Sequence, residues 1–307
     1  MLDTYWKFAA ERQKIFFNRM AGESKLTEDP ILLKHKFTNA YRASDRVSQY
    51  LIKEVIYKGD QEPVEVLFRI LLFKIFNKIS TWELLKDEFH TLTWKDYSFK
   101  RYNSVLTQAM FAGESIYSGA YIMASGKSSF GFNRKHENHL KLIEYMLTGG
   151  LAEKIKDALT MSDVYQILLS YPTIGKFLAF QYAIDINYSE LTNFSEMDFV
   201  VPGPGALDGI MKCFIDLGDY DQTDIIHYVT DIQEQEFKRL EIDFKDLWGR
   251  PLQLIDCQNL FCETDKYSRV AHPETSGISR RKRIKQLYTK NISDIEYYFP
   301  PKWKLNL

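Results

Sequence analysis

The sequence predicts an all-α fold, and two observations support this prediction. Apolar residues recur at intervals of three and four along successive segments of the chain. No window shows the sustained alternation and hairpin turns that are typical of β-strands. With 307 residues, 45% of them hydrophobic, the chain is long enough to bury one large core or two lobes that share a cleft.

The helices follow one another with short breaks. The first is predicted near the start, where Tyr5, Phe8 and Ile15 share a helical face and Gly22 provides a stop. A second pattern covers residues 39–57. Pro63 suits the first turn of a third helix, whose apolar residues cover nearly its whole circumference and predict a central position. Thr81 is a candidate cap for the fourth helix. Further helices are predicted over 102–111, 136–147, 151–158, 162–169 and 176–186.

No internal repeat, low-complexity linker or long polar hinge interrupts the chain, so we expect a single unit over residues 1–307. The first residues contain no apolar run of signal-peptide length, and no stretch approaches the ~20 apolar residues that a membrane span needs. Three cysteines, an odd number, argue against a disulfide framework. These features predict a cytoplasmic protein without a membrane partner, which we expect to be a monomer.

Motifs for metals and cofactors are missing. The cysteines lack C-x-x-C spacing, and His136 and His139 share a helix face without a third ligand at recognisable spacing. The glycine-rich stretch 124–132 lacks the spacing of a nucleotide-binding P-loop. We therefore expect neither a metal nor a cofactor.

Local charge is more informative than the net charge of −1. Six basic residues and no acidic residue lie between Thr275 and Ser293. Arg280, Arg281 and Arg283 in this run are candidates for contacts with DNA phosphates. The alternative interpretation is an ordinary solvated face.

The sharpest local signal is the segment YPTIGKFLA, residues 171–179, between two predicted helices. Its Pro and Gly predict a tight turn that exposes backbone N–H groups to a phosphate, with contacts from Thr173, Gly175 and Lys176. The segment resembles the hairpin of the helix-hairpin-helix DNA glycosylases, although that family has Gly at the place of Thr173. Phe177 stands where members with strand-cleaving activity carry a Schiff-base lysine. The resemblance therefore implies hydrolysis by water that leaves an abasic site. An ordinary helix-turn-helix connection is the alternative.

In that family a catalytic aspartate follows the hairpin by about twenty residues, at the start of the next helix, and Asp198 occupies this place. A carboxylate there could stabilise an oxocarbenium-like sugar and position a water. Glu196, Asp208 and Asp185 are nearby alternatives, and a loop aspartate is often only a cap or a solvated residue. The turn that follows, with Gly203 and Gly205, has little side-chain bulk and would let DNA approach closely.

Several blocks together resemble the alpha-glutamyl/putrescinyl thymine pyrophosphorylase group of DNA base hypermodification proteins. They are FTNAYRASDRVSQYLI, FRILLFKIFNKISTWELL, SIYSGAYI, PTIGKFLAFQYAIDINYSE, VVPGPGALDGIMKCF and LFCETDKY. The group is similar both to helix-hairpin-helix glycosylases and to the viral-like glycosylases that bacteria use against phages. The resemblance implies two helical lobes around a cleft, one formed by about 1–62 plus 198–307 and the other by about 63–197.

Polar residues in these blocks are candidates for a base pocket. Asn39, Arg42 and Asp45 have spacings of three, which predicts one shared helix face. Tyr117, in the block SIYSGAYI, and the pair Asp265 and Lys266, in LFCETDKY, could complete the pocket. The alternative for each is a structural role, as a solvated ion pair or a packed side chain.

The preferred hypothesis is a monofunctional DNA glycosylase, with Asp198 as its catalytic residue. It would flip a hypermodified pyrimidine of phage DNA, such as glucosylated hydroxymethylcytosine, and excise it as an antiphage defence. One alternative is a phage transferase that joins an amine or amino acid to a phosphorylated hydroxymethyl pyrimidine. Another is a non-catalytic module that binds modified DNA.

Overall fold

A computed structural model describes residues 1–289 and 296–305, so Lys290 and the end of the predicted basic run lie outside the described residues. The all-α prediction is confirmed, because the described residues contain helices and two isolated bridges but no strand. The helices, in chain order, are α1 (Leu2–Met20), α2 (Pro30–Lys34), α3 (Arg46–Tyr50), α4 (Pro63–Phe76), α5 (Ile79–Phe89), α6 (Phe99–Phe111), α7 (Lys127–Phe130), α8 (Lys135–Thr148), α9 (Leu151–Lys156), α10 (Met161–Leu169), α11 (Lys176–Asn187), α12 (Pro204–Cys213), α13 (Gln222–Asp231), α14 (Gln233–Arg239) and α15 (Leu254–Ala271).

Shorter helical segments complete the list. The chain forms 3₁₀ turns at Arg42–Ser44 and Pro301–Trp303, and α3 continues directly into a π-helical stretch at Leu51–Ile56. None of the helices in the described part of the chain is both long and apolar enough to cross a membrane.

Contacts within the chain divide it into two compact units. Unit 1 consists of Met1–Asp45, Glu196–Tyr297 and Trp303–Leu307, and unit 2 consists of Arg46–Ser195 and Tyr298–Lys302. The first boundary between the units lies after residue 45, whereas we predicted it near residue 62. The second boundary lies after residue 195, close to the predicted position at 197. The cleft between two lobes stays a prediction.

Unit 1 is organised around α15, which packs against α1 and α12. Tyr5 of α1 places its ring 4.6 Å from that of Phe261 and donates a hydrogen bond to the Cys257 carbonyl at 3.0 Å. Aromatic burial of this kind supplies much of the stabilisation of a helical core. The core of unit 1 therefore fixes α15, the helix on which the polar groups described below are mounted.

Two glycines allow α12 to lie directly on α15. A Cβ on Gly209 would overlap the carbonyl oxygen of Phe261, and a Cβ on Gly205 would overlap the Sγ of Cys262. Gly205 therefore serves helix packing, and contact of DNA with it stays a prediction. Contact of DNA with Gly203, which precedes the helix, stays a prediction.

The substitution Gly209→Ala is expected to lower the free energy of unfolding by about 2–3 kcal/mol, since a backbone oxygen cannot move aside as a side chain can. Guanidinium chloride unfolding followed by circular dichroism measures the loss. Gly119→Ala is the control, because its Cβ would meet nothing within 4 Å and should change stability by less than about 0.5 kcal/mol. Equal stability of the two variants would contradict this account of the α12–α15 contact.

Unit 2 has α4 at its centre, as the sequence predicts, because the residues from Glu65 to Phe76 are buried on every side of that helix. Helix α11 lies against both α4 and α10. The cap assigned to Thr81 is wrong: α5 begins earlier, with Lys78 as N-cap, and the Thr81 hydroxyl donates a hydrogen bond to the Ile116 carbonyl at 2.8 Å. That bond ties α5 to the segment before α7.

Candidate nucleic-acid interface

A basic segment, residues 277–288, lies along the surface of unit 1, and we call it the basic strap. Its five cationic side chains are all exposed, and the segment contains no acidic residue. None of the five forms an ion pair with another described residue. They are Arg280, Arg281, Lys282, Arg283 and Lys285. Their charges are therefore available to an external anion.

The N-terminal half of the strap is anchored to α12 and α15. Asp208 of α12 accepts the Ser279 backbone N–H at 2.6 Å and also the Ser279 hydroxyl. Burial raises the pKa of Asp208, but the hydrogen bonds from Ser279 more than offset this effect and the pKa lies below its usual value. A guanidinium N–H of Arg269 donates to the Arg283 carbonyl at 3.1 Å.

The C-terminal half of the strap is anchored beside α2. The Lys36 N–H donates to the Gln286 carbonyl at 3.1 Å, and the Tyr288 N–H donates to the Lys34 carbonyl at 3.0 Å. The strap is thus held at both ends while its cations face solvent. A surface that is ordered before binding loses less conformational entropy when a ligand arrives.

Buried charges beneath the strap hold α15 and α12 together. The Lys212 ammonium lies 2.8 Å from Asp265 and donates to the Ser268 hydroxyl at 2.9 Å. Asp265 also pairs with Arg269. The side chains of Lys212 and Asp265 are 1% and 2% exposed. Loss of either charge would therefore leave the other buried without a counter-ion, which is strongly destabilising.

The candidate pocket residues of unit 1 occupy structural positions. Asp265 is committed to the buried ion pairs, and Lys266 pairs with Glu263 at 2.7 Å. The shared helix face predicted for Asn39, Arg42 and Asp45 is wrong, because residues 39–45 form a loop with one 3₁₀ turn and α3 begins only at Arg46.

Hydrogen bonds within and around that loop explain its conformation. The Asn39 side chain accepts from Arg12 at 2.9 Å and donates to the Ser44 carbonyl at 2.9 Å, while its backbone N–H donates to Asp45 at 2.8 Å. Burial raises the pKa of the Asp45 carboxyl to about 7. The buried Arg42 places its backbone N–H 2.7 Å from Asp256. A role of these residues in base binding stays a prediction.

Unit 2 contains the hairpin and Tyr117. Thr173 adopts a φ of 69°, so the turn has the left-handed conformation although Thr stands where the glycosylases have Gly. Gly175 is the N-cap of α11, and both Gly175 and Lys176 are exposed. Tyr117 donates a hydrogen bond to His139 at 2.9 Å. Its position in a base pocket also stays a prediction.

Asp198 lies on an exposed bend, five residues before Gly203, the N-cap of α12. It therefore does not occupy the helix start at which we expected it. The three alternative carboxylates are buried and lie beside other groups: Glu196 is 3.3 Å from Arg250, Asp185 is 2.7 Å from Lys74, and Asp208 holds Ser279.

Comparison with known proteins now decides the family. A sequence model described as "5-hmdU DNA kinase, helical domain" matches residues 1–277. The chain belongs to this family. A 5-hmdU DNA kinase from Bacillus phage SP10 is 27% identical over 318 residues, which cover 97% of this chain and 50% of the phage protein. The chain thus spans about half the length of the curated relative that it matches. No solved structure matches it.

Membership in the 5-hmdU DNA kinase helical-domain family corrects the predicted reaction. The expected monofunctional DNA glycosylase, with its hydrolysis, abasic product and antiphage role, is wrong, because the family and the relative are named for a kinase. The oxocarbenium role of Asp198 is withdrawn with that reaction. The alternative of a transferase that joins an amine or amino acid to a phosphorylated hydroxymethyl pyrimidine of DNA is closer, but such a transferase is not a kinase. The resemblance to DNA base hypermodification proteins holds at that coarser level.

Sequence reasoning found the cations of the strap but did not predict that Asp208, Ser279 and Arg269 hold it. The signal available for Arg269 was its spacing of four from Asp265 on one helix, which is typical of an ion pair. Lys212 and Ser279 are distant in sequence from the groups they contact. Only the folded chain brings them together.

Proposed function

We propose that this chain binds DNA that carries 5-hydroxymethyl-2′-deoxyuridine and presents it for phosphorylation on the hydroxymethyl group. Membership in the 5-hmdU DNA kinase helical-domain family supports the modified DNA as the substrate. In the reaction the hydroxyl oxygen attacks the terminal phosphorus of a nucleoside triphosphate and the nucleoside diphosphate leaves. We assign only the binding of DNA to this chain.

The observation that carries the proposal is the basic strap. Five exposed cations on a segment without acidic residues, anchored at both ends, match the charge of a nucleic-acid backbone. Contacts to phosphate position a protein on DNA without reading the sequence. Selection of the modified base would then need a second feature, and the hairpin residues Thr173, Gly175 and Lys176 are further candidates for backbone contacts.

The proposal is tested with the triple variant R281A/R283A/K285A. It is expected to bind a fluorescent duplex containing 5-hydroxymethyl-2′-deoxyuridine at least about ten-fold more weakly than the unaltered protein, measured by anisotropy. The slope of log affinity against log salt should also become shallower by roughly two to three, since each phosphate contact contributes about 0.9 to that slope.

The matched control is K7A/K14A/K238A, which removes three exposed charges from the same unit. It should retain the affinity and salt slope of the unaltered protein. If both triple variants weaken binding equally, net charge is responsible and the strap is not the binding surface. If neither variant changes binding, the proposed function of the strap is wrong.

A further inference from the structure

Two aromatic side chains of unit 2 form a stack at the protein surface. The rings of Tyr121 and Phe177 are within 5° of parallel, and their centroids are 5.7 Å apart. At that separation two parallel rings are displaced sideways relative to each other, so they overlap only in part. Both residues are only half-buried. Aromatic rings in a core are normally enclosed on all sides, whereas both rings of this pair are partly exposed to solvent.

A buried charge lies against the inner side of the stack. The Lys74 ammonium is 4.1 Å from the centroid of the Tyr121 ring and 2.7 Å from the Asp185 carboxylate. The side chains of Lys74 and Asp185 are only 3% and 1% exposed. Removing such a pair from water is costly. The cation–π contact of the Lys74 ammonium stabilises the position of the Tyr121 ring.

The segment that carries Tyr121 is fixed on both sides of that residue. Tyr117 donates its hydroxyl hydrogen to His139 at 2.9 Å, and His139 donates its Nε2 hydrogen to the Ala124 carbonyl at 2.8 Å. Tyr121 itself has a φ of 56°, which is unfavourable for a residue other than glycine. Backbone strain of this kind persists where surrounding contacts enforce it, often at binding sites.

Two exposed lysines lie on segments close to the aromatic pair in the chain. Lys176, directly before Phe177, and Lys127 are exposed, and neither forms an ion pair with a described residue. Lys127 follows Gly126, which packs closely against Thr173 of the hairpin: a Cβ on this glycine would be 3.3 Å from the Thr173 methyl carbon. Two exposed cations therefore lie next in sequence to Phe177 and next to the glycine that packs on the hairpin. Proteins that bind single-stranded nucleic acids combine such cations with aromatic rings.

We propose that Tyr121 and Phe177 form a stacking platform for one unpaired base of a DNA strand, with Lys176 and Lys127 contacting the neighbouring phosphates. This inference rests on the proposed function, because it requires that the chain binds DNA. The platform supplies what the basic strap lacks, which is contact with a base. Stacking alone accepts any base, so the platform holds an unpaired base without by itself identifying it.

The experiment uses two single-stranded oligonucleotides that are identical except at one central position. One carries the fluorescent base 2-aminopurine there, and the other carries an abasic spacer. The unaltered protein is expected to bind the 2-aminopurine strand about ten-fold more tightly and to quench its fluorescence, because stacking contributes roughly 1–3 kcal/mol per base. In Phe177→Leu this discrimination should fall to less than about two-fold and the quenching should disappear.

The matched control is Phe177→Tyr, which keeps an aromatic ring and should keep both the discrimination and the quenching. Circular dichroism of both variants checks that they are folded. The platform is wrong if Phe177→Leu discriminates as well as the unaltered protein does, or if the unaltered protein binds both strands equally. Equal binding of the two strands leaves the proposed function intact. A protein that binds neither the two strands nor the modified duplex overturns both proposals.

Discussion

Replacement of Asp265 by alanine is expected to lower the free energy of unfolding by about 3–5 kcal/mol. The substitution leaves the Lys212 ammonium, 1% exposed, without its carboxylate and removes the partner of Arg269. A buried charge that loses its counter-ion is far more destabilising than a pair that was never present. Guanidinium chloride unfolding of the variant and the unaltered protein measures the difference.

The double variant K212M/D265L provides the control, since it replaces the buried pair by apolar side chains of similar size. It is expected to recover at least half of the stability lost in Asp265→Ala, because no ammonium remains buried alone. If instead Asp265 were a pocket residue exposed to substrate, Asp265→Ala would leave stability within about 0.5 kcal/mol and change only DNA binding. Helix α15 also holds the strap, because Arg269 donates a hydrogen bond to the Arg283 carbonyl. DNA binding by the double variant therefore shows whether this contact needs the ion pair between Arg269 and Asp265.

The sequence predicted the helices well because their signal is local. The apolar period of α4 and the turn before α11 are written in adjacent residues, and both were found. Residues 39–45 show the opposite case. Their spacing favours a helix, but Arg12 and Asp256, distant in sequence, hydrogen-bond to this segment and stabilise a loop. Local propensity could not reveal those partners.

The reaction was mispredicted for a related reason. A Pro-Thr-Ile-Gly turn specifies a backbone conformation, and Thr173 indeed adopts the required positive φ. A turn of this shape can support the binding of a phosphate backbone without determining which bond is made or broken. The basic run was a better guide, because exposed charge bears directly on the class of partner. Its anchors and the Tyr121–Phe177 stack depend on contacts between segments far apart in the chain.

Acidification from pH 6.5 to pH 4 is expected to remove about 3 kcal/mol of stability through His139. Burial lowers the pKa of this histidine from 6.5 to about 4. Below pH 6.5 the unfolded chain binds a proton at this position while the folded chain does not, so stability falls as the pH falls. The loss ends near pH 4, where the folded form also becomes protonated. Unfolding experiments at several pH values in this range measure the slope.

The variant His139→Gln isolates this contribution, since glutamine can donate and accept hydrogen bonds but has no proton to gain. Its stability should be lower than that of the unaltered protein at pH 7, and its dependence on pH between 6.5 and 4 should be shallower by about the amount assigned to His139. An unchanged slope would show that other groups cause the loss. Because His139 holds the Tyr117 hydroxyl and the Ala124 carbonyl, on either side of Tyr121, its protonation should also weaken the quenching of 2-aminopurine before unit 2 unfolds. Phe177→Leu is expected to lack the quenching at neutral pH, and the unaltered protein is expected to lose it at acid pH. These two results together would show that protonation of His139 disturbs the order of the base platform.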